Sequence, residues 1–432
     1  MIRQVFVVSL LLLASATQAL EIQSWRTAQG ARVMYVPAPQ LPMVNLSVLF
    51  DAGSARDSGQ PGKARLLNEL LLEGAGERDA DALAWHLESR GIEISTRISR
   101  DIAWINMRSL SDKNILTVAL DTLAEIVARP RLDADAIARV KERTLAELRL
   151  SRQSAEDVAD QMLMQALYGK HPYAHDPLGN ESSLASLDAG QLRAFHEQYY
   201  TAANAVIAIV GNVDRKQAEL LVNRLAGSLV AGEKASPLPP PKKPKSGILR
   251  KQFPASQTHI NMGMLGISRK DADYFPMLVG NHILGGSGLT SIMGEEVRNK
   301  RGLSYGISSH FSPLWVQGPW VLSAQTKNDQ AESTRQLMVA LLRDFIDEGP
   351  GKKQLQAAKK HLVGGFPLKL ASNSKILQRI AVLGFYDLPL DWLDAWAMKV
   401  EQVSASQIRR VFRRRMPVKN LVTVMVGGAK GK

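Results

Sequence analysis

The chain contains no cysteine. That single absence excludes thiol catalysis, cysteine-ligated metal and disulfide bracing together. A chain of 432 residues must then be held by its core, and it is long enough to build one. Long hydrophobic runs are also missing. The apolar run at 5–13 falls short of the roughly 20 residues that a spanning helix needs, and no later stretch supplies more. Several catalytic signatures are absent as well. The histidines are His86, His171, His175, His196, His259, His282, His310 and His361, and none forms H-E-x-x-H or its inverse H-x-x-E-H. His171 and His175 stand four apart in HPYAHDPLG, but Pro172 and Pro177 make that segment a loop and remove helical ligand geometry. GGSG at 285–288 is neither a nucleophile elbow nor a phosphate or dinucleotide loop.

What is present begins with a leader. Residues 1–19 carry Arg3, then the apolar run, then small residues, the pattern of a secretory signal peptide cleaved after Ala19. The mature chain is therefore expected in the periplasm, with no transmembrane segment. Its formal charge is +13, or +12 once Arg3 leaves with the leader. Export argues against nucleic acid as a partner and leaves anionic surfaces or acidic peptides. The excess sits in two clusters, 239–251 and 408–415, which read as solubilising charge in a linker and on a helix.

Residues 231–246 (AGEKASPLPPPKKPKS) form a Pro/Lys-rich linker that divides the mature chain into nearly equal halves, 20–230 and 247–432. The halves share a pattern. MVNLSVLFDAG and THINMGMLGIS both alternate as half-buried strands, with Val44 set against Ile260, an offset of 216. NAVIAIVGN and NLVTVMVGG close each half, Gly211 and Gly427 again lying 216 apart. Helical periodicity covers 64–90, 112–128, 133–169 and 189–199, then 273–284, 290–300, 330–348, 352–382 and 403–414. The expected fold is α+β: two homologous α/β-sandwich domains, mostly antiparallel sheet packed with helices, arranged as a clam shell around a cleft.

Two stretches carry candidate chemistry. In GKARLLNELLLEG (62–74), Leu66, Leu67, Leu70 and Leu71 make a core stripe, while Arg65, Asn68 and Glu69 share another face. In EEVRNKRGLSYGISSHF (295–311), Arg298 lies near a helix end and Tyr305 opens a strand seven residues later. An arginine can grip a carboxylate, and a tyrosine can donate to a carbonyl oxygen or oxyanion. Read without context, the first is an exposed helix charge and the second a half-buried strand residue.

Taken in order, the DAG strand ending at Gly53, GKARLLNELLLEG, GKHPYAHDPLG, QYYTAANAVIAIVGNVD, NHILGGSGLTSIMGEEVRNKRGLSYGISS and NLVTVMVGG resemble the pitrilysin/insulinase family. Those peptidases carry the inverted zinc motif, and the similarity spans about 25–430. The resemblance implies that RLLNE (65–69) stands where active members carry H-x-x-E-H. Arg65 and Glu69 then occupy the zinc-ligand positions, Asn68 the general-base position and Glu147 the third-ligand position. One carboxylate pair without imidazoles does not make a catalytic zinc site, and an amide cannot accept water's proton. The resemblance also implies that Arg298 and Tyr305 match the pair that holds substrate near a zinc carried by a homologous subunit. It implies further that Gly285, Gly286, Ser287 and Gly288 face peptide. The expected function is thus the non-zinc subunit of a heterodimeric metallopeptidase. No cofactor is expected in this chain; zinc belongs to a partner with H-x-x-E-H, and the substrate is unfolded peptide. The alternatives are an inert peptide-binding or scaffold protein, or a lone peptidase with an unorthodox metal site.

Overall fold

The computed structural model describes residues 20–428, so the leader expected over 1–19 lies outside the described residues. The first half contributes β1 (Gln23–Arg26), β2 (Arg32–Pro37), β3 (Met43–Phe50), β4 (Gly74–Ala75), β5 (Arg78–Asp79), β6 (Glu93–Ile98), β7 (Ala103–Leu110) and β8 (Ala205–Gly211). The second contributes β9 (Gly247–Lys251), β10 (Gln257–Leu265), β11 (Ser304–Phe311), β12 (Pro319–Lys327) and β13 (Val422–Val426). One sheet runs β1-β2-β8-β3-β7-β6 and the other β11-β12-β10-β13-β9; β4 and β5 form a small hairpin. Apart from β1, the two orders are the same when the second is read backwards. Each sheet has one parallel pair, β2 with β8 and β9 with β13, and is otherwise antiparallel. The duplication is one of topology as well as of sequence pattern.

The register corrects one detail of the internal alignment. Val44 faces Gly211, and because His259 faces Val426, the preceding Thr258 stands opposite Gly427. A Cβ on Gly211 would lie 2.3 Å from the Met43 carbonyl oxygen, and one on Gly427 would lie 2.7 Å from that of Gln257. Both glycines therefore let the closing strand approach the same point of its neighbour. Val44 corresponds to Thr258 and not to Ile260, two residues away. A strand's side-chain period is two, so a slip of two leaves the buried face unchanged and is invisible to hydrophobic pattern.

One face of each sheet packs on helices of its own half, where Val44, Leu46, Val48 and Phe50, or Ile260, Met262 and Met264, point into the core. The other face is covered by a helix from the opposite half. Helix Asn373–Phe385 lies on β2, β3 and β8, and helix Ala155–Tyr168 lies on β10 and β13. Val158, Ala159, Leu163 and Leu167 meet Val422, Val424 and Val426, while Leu377, Ile380 and Ala381 meet Met34, Val206 and Ala208. Each half thus covers one face of the other's sheet with an exchanged helix. At the junction the Asp101 carboxylate is fully buried and accepts from the Tyr173 hydroxyl, the Tyr386 hydroxyl and the Trp315 backbone N–H. Burial raises its pKa, and these three donors work against that shift.

Several long helical stretches are broken at readable places. The stretch at 64–90 is helix Lys63–Leu70, the β4/β5 hairpin and helix Ala80–Glu88, with left-handed Gly76 (φ 59°) in the turn. The stretch at 133–169 parts after Arg152, where Ser154 caps the next helix by accepting from the Asp157 N–H.

Candidate functional site

Helix Lys63–Leu70 starts after Gly62, whose φ of 92° suits the tight entry. The buried Asp57 carboxylate accepts from the Gly62 and Ala64 N–H groups and from His175 Nε2 at 3.0 Å, which fixes that entry. Leu66, Leu67, Leu70 and Leu71 are fully buried, as the stripe requires. Asn68 is buried as well, only 1% exposed, and lies beside the Tyr200 hydroxyl. It is therefore not part of an open polar patch. Burial raises the Tyr200 phenol, and the Asn68 side chain opposes that rise.

The remaining polar face is filled by an ion-pair ladder with the helix Ala134–Arg152. The Arg65 guanidinium lies between the Glu69 and Glu147 carboxylates. Its Nη2 donates to Glu147 Oε2 at 2.6 Å, and its Nε stands 2.8 Å from Glu69 Oε1 as a charge contact without hydrogen-bond alignment. Glu69 then reaches Arg143 at 3.2 Å, Arg143 reaches Glu73 at 3.4 Å, and Glu73 reaches Arg139 at 3.4 Å. Arg139 closes on Asp135 at 2.8 Å. Seven side chains alternate in sign from Glu147 to Asp135. A guanidinium thus stands where a cation would neutralise Glu69 and Glu147. The donor set does not fit zinc: it offers two carboxylates already engaged by arginine and no imidazole. Among the described residues, no three His, Cys, Asp or Glu side chains are grouped to hold a metal ion.

The second stretch is built differently. Arg298 lies in the π-helical turn Gly294–Asn299, and Tyr305 lies near the start of β11. The ladder between β11 and β12 shifts there: Ser304 faces Thr326 and Gly306 faces Gln325, leaving Tyr305 as the extra residue of a β-bulge. A bulge turns its side chain out of the strand's alternation, and Tyr305 is 80% exposed. The Ser304 hydroxyl contacts the Gly306 and Gln325 carbonyl oxygens, both at 2.7 Å, and braces the bulge. The Arg298 guanidinium lies 4.5 Å from the Tyr305 ring centroid, a cation–π contact. Its neighbours Lys300 and Arg301 are consumed by Glu296, whereas Arg298 forms no ion pair among the described residues.

Arg298 borders a cavity of about 470 Å³ across β11, β12 and β10. Glu156 and Asp160 of the exchanged helix Ala155–Tyr168 line its far side with His259 and Asn261. Asn261 Nδ2 donates to Asp160 at 2.6 Å, and burial, then Glu156 and Asp157, raise that carboxyl. The glycine stretch borders the same region unevenly. Gly285 is buried against Ser309, while Gly286 and Gly288 are exposed and Gly288 lines the cavity. A larger hollow, about 1100 Å³, lies between helices Lys113–Ala128 and Ala189–Tyr199. Its Arg78, Arg129 and Arg131 are already paired with Glu125 and Asp133, so the smaller cavity is the better candidate.

The metal-motif positions and the Arg298–Tyr305 pair share no hydrogen bond or ion pair among the described residues; they are two separate regions. Sequence reasoning missed the ladder beyond Glu69. Its signal was there, since Glu69 and Glu73 match Arg139 and Arg143, each pair four residues apart.

The duplicated sheets, the helices that cover them and the exchanged pair define a two-domain fold of the M16-like peptidase kind. The comparisons agree. Residues 32–181 match the family model described as insulinase (peptidase family M16), and 186–362 match the peptidase M16 inactive domain. The chain is 36% identical to a solved peptidase M16 inactive domain from Pseudomonas fluorescens, with a TM-score of 0.92 over 96% of this chain and 100% of that one. The chain belongs to the M16 peptidase family. It is also 24% identical to an uncharacterized zinc protease, YmxG, of Bacillus subtilis, over 83% of this chain and 87% of that protein. A non-peptidase homolog, YmxG, of Helicobacter pylori is 26% identical over 92% of each.

Proposed function

We propose that this chain is the non-zinc subunit of a periplasmic two-subunit peptidase, paired with a homologue that carries H-x-x-E-H. One observation carries the reading: the Arg65 guanidinium sits between Glu69 and Glu147, while in the other half Tyr305 is exposed and the half-buried Arg298 has no ion pair among the described residues, only its contact with the Tyr305 ring. The relative described as a non-peptidase homolog and the inactive-domain match support the same division of labour. The leader-like segment at 1–19 supports export, and no helix of the described residues is long and apolar enough to cross a membrane.

In this arrangement the partner's zinc supplies the activated water. Tyr305 donates its hydroxyl to the scissile carbonyl oxygen as negative charge develops there. Arg298 gives up its contact with the Tyr305 ring to grip substrate, and the exposed part of the glycine stretch lines the peptide's path. The test mixes purified chain with the H-x-x-E-H homologue and follows peptide cleavage. Tyr305→Phe and Arg298→Ala are each expected to lower the mixture's kcat/KM by about 100-fold. Unchanged rates in both would overturn the assigned roles. A chain that forms only homodimers and leaves the partner's activity untouched would favour the scaffold instead.

A further inference from the structure

We infer that Asn281 is a positioning residue that locks the glycine stretch 285–288 to the strand carrying Tyr305. It ends the helix Tyr274–Asn281, where the chain enters the π-helical turn His282–Gly286. Turns of this kind are widened locally and need anchoring from outside the helix ladder. Asn281 is 7% exposed, and its amide bonds run to two strands. Nδ2–H donates to the Ser309 carbonyl oxygen at 3.0 Å. Oδ1 accepts from the Ser309 hydroxyl and from the Trp320 indole N–H, both at 2.8 Å. Ser309 belongs to β11, and Trp320 is a fully buried residue of β12.

The geometry permits little else at this position. Aspartate would set a carboxylate oxygen against the Ser309 carbonyl oxygen, and leucine would leave the indole N–H without an acceptor and the Ser309 hydroxyl with only the residue-281 carbonyl oxygen at 3.4 Å. The turn is held against Ser309 and against Asn281 itself. A Cβ on Gly285 would lie 2.6 Å from Ser309 Oγ, and one on Gly286 would lie 3.0 Å from Asn281 Nδ2. Further on, the segment closes on the Arg298 turn. The Ser291 hydroxyl donates to the Gly288 carbonyl oxygen at 2.6 Å and accepts from the Gly294 N–H at 3.0 Å. A Cβ on Gly294 would lie 2.2 Å from the Gly288 oxygen. Asn281 therefore fixes the segment's start to β11, and Ser291 fixes its end to the turn bearing Arg298. The spacing of Arg298 and Tyr305 depends on both.

The inference rests on the proposed roles of Arg298 and Tyr305, and its test separates the two. Hydrogen exchange on the full chain is expected to rise about tenfold in 282–294 and 304–311 for Asn281→Ala, and not in 63–70. Ser309→Ala, which removes one of the three amide bonds, is expected to show a smaller rise in the same segments and guards against a variant that fails to fold. In the mixture with the zinc homologue, Asn281→Ala is expected to lower kcat about tenfold on its own and to add nothing in a Tyr305→Phe background. Unchanged exchange in both segments for both variants overturns the anchoring role. Exchange that rises while the two losses multiply overturns the positioning role. A mixture with no activity at all rejects the proposed function, and the exchange result still decides the anchor.

Discussion

The metal-motif helix and the Arg298–Tyr305 region occupy the two halves of a duplicated fold and have opposite characters. In the first, Arg65, Glu69 and Glu147 neutralise one another at 2.6 and 2.8 Å, and the ladder runs on from Glu69 through Arg143. In the second, an arginine with no ion pair among the described residues rests on an 80%-exposed tyrosine at a strand bulge beside a cavity. Saturation of polar groups favours structure, and unsatisfied groups held rigidly favour binding. The difference teaches that the two halves of one duplicated fold can dispose of their charges in opposite ways. Arg65 joins the carboxylates of two helices, while the other half holds Tyr305 outward.

Breaking the packing beneath the second region should have the largest effect on stability. Gly285→Ala would force a Cβ to 2.6 Å from Ser309 Oγ and is expected to cost about 1–3 kcal/mol. Thermal unfolding checks this, with Gly288→Ala as the contrast: it has open space around it but a φ of 62°, and should cost about 1 kcal/mol. Next comes the first region. Arg65→Ala leaves Glu69 and Glu147 facing each other without their cation and is expected to cost about 1 kcal/mol, since the pairs are part-exposed. The same variant should gain thermal stability from added divalent zinc, which wild type should not show. Equal responses of the two proteins to zinc would contradict the view of Arg65 as the built-in cation.

A smaller effect concerns pH at the edge of the second region. Burial, then the adjacent His361 and Lys369, lowers His282 to about 4, and Lys353 also lines the hollow beside it. The unfolded chain takes up this proton near 6.5. Between about 6.5 and 4 the unfolded state therefore binds more protons, so stability from His282 is full above that window and is lost as pH falls through it. Denaturation midpoints measured across the window should fall less steeply for His282→Asn than for wild type. Parallel curves would remove His282 as the cause. Smallest of all is the response of wild type to a chelator, expected to leave its unfolding temperature unchanged.

Much of this was legible from residues alone. The leucine stripe at 66–71 gave the buried face of the helix Lys63–Leu70, and the i, i+4 spacing of Arg65 and Glu69 suits the pair they form. The paired halves followed from their closing glycines. Other features depend on three-dimensional register that a single sequence does not encode. The run SYGISSHF reads as an alternating strand, so the bulge that turns Tyr305 outward shows only against β12. Gly285 and Gly288 look alike in GGSG, yet one is excluded from bearing a side chain by Ser309 and the other adopts a left-handed turn. Asn68 was grouped with the polar face by helical spacing, whereas packing against Tyr200 buries it. The equivalence of Val44 with Thr258 hid behind the two-residue period of strands.

The most direct measurement compares the two regions in one assay. Peptide cleavage is followed in the chain mixed with a homologue that carries H-x-x-E-H, the proposed partner, using wild type, Arg65→Ala and Tyr305→Phe. The account predicts that Arg65→Ala keeps kcat/KM within about twofold of wild type, while Tyr305→Phe loses about 100-fold. Loss of activity with Arg65→Ala and retention with Tyr305→Phe would place the chemistry in the wrong half and contradict it.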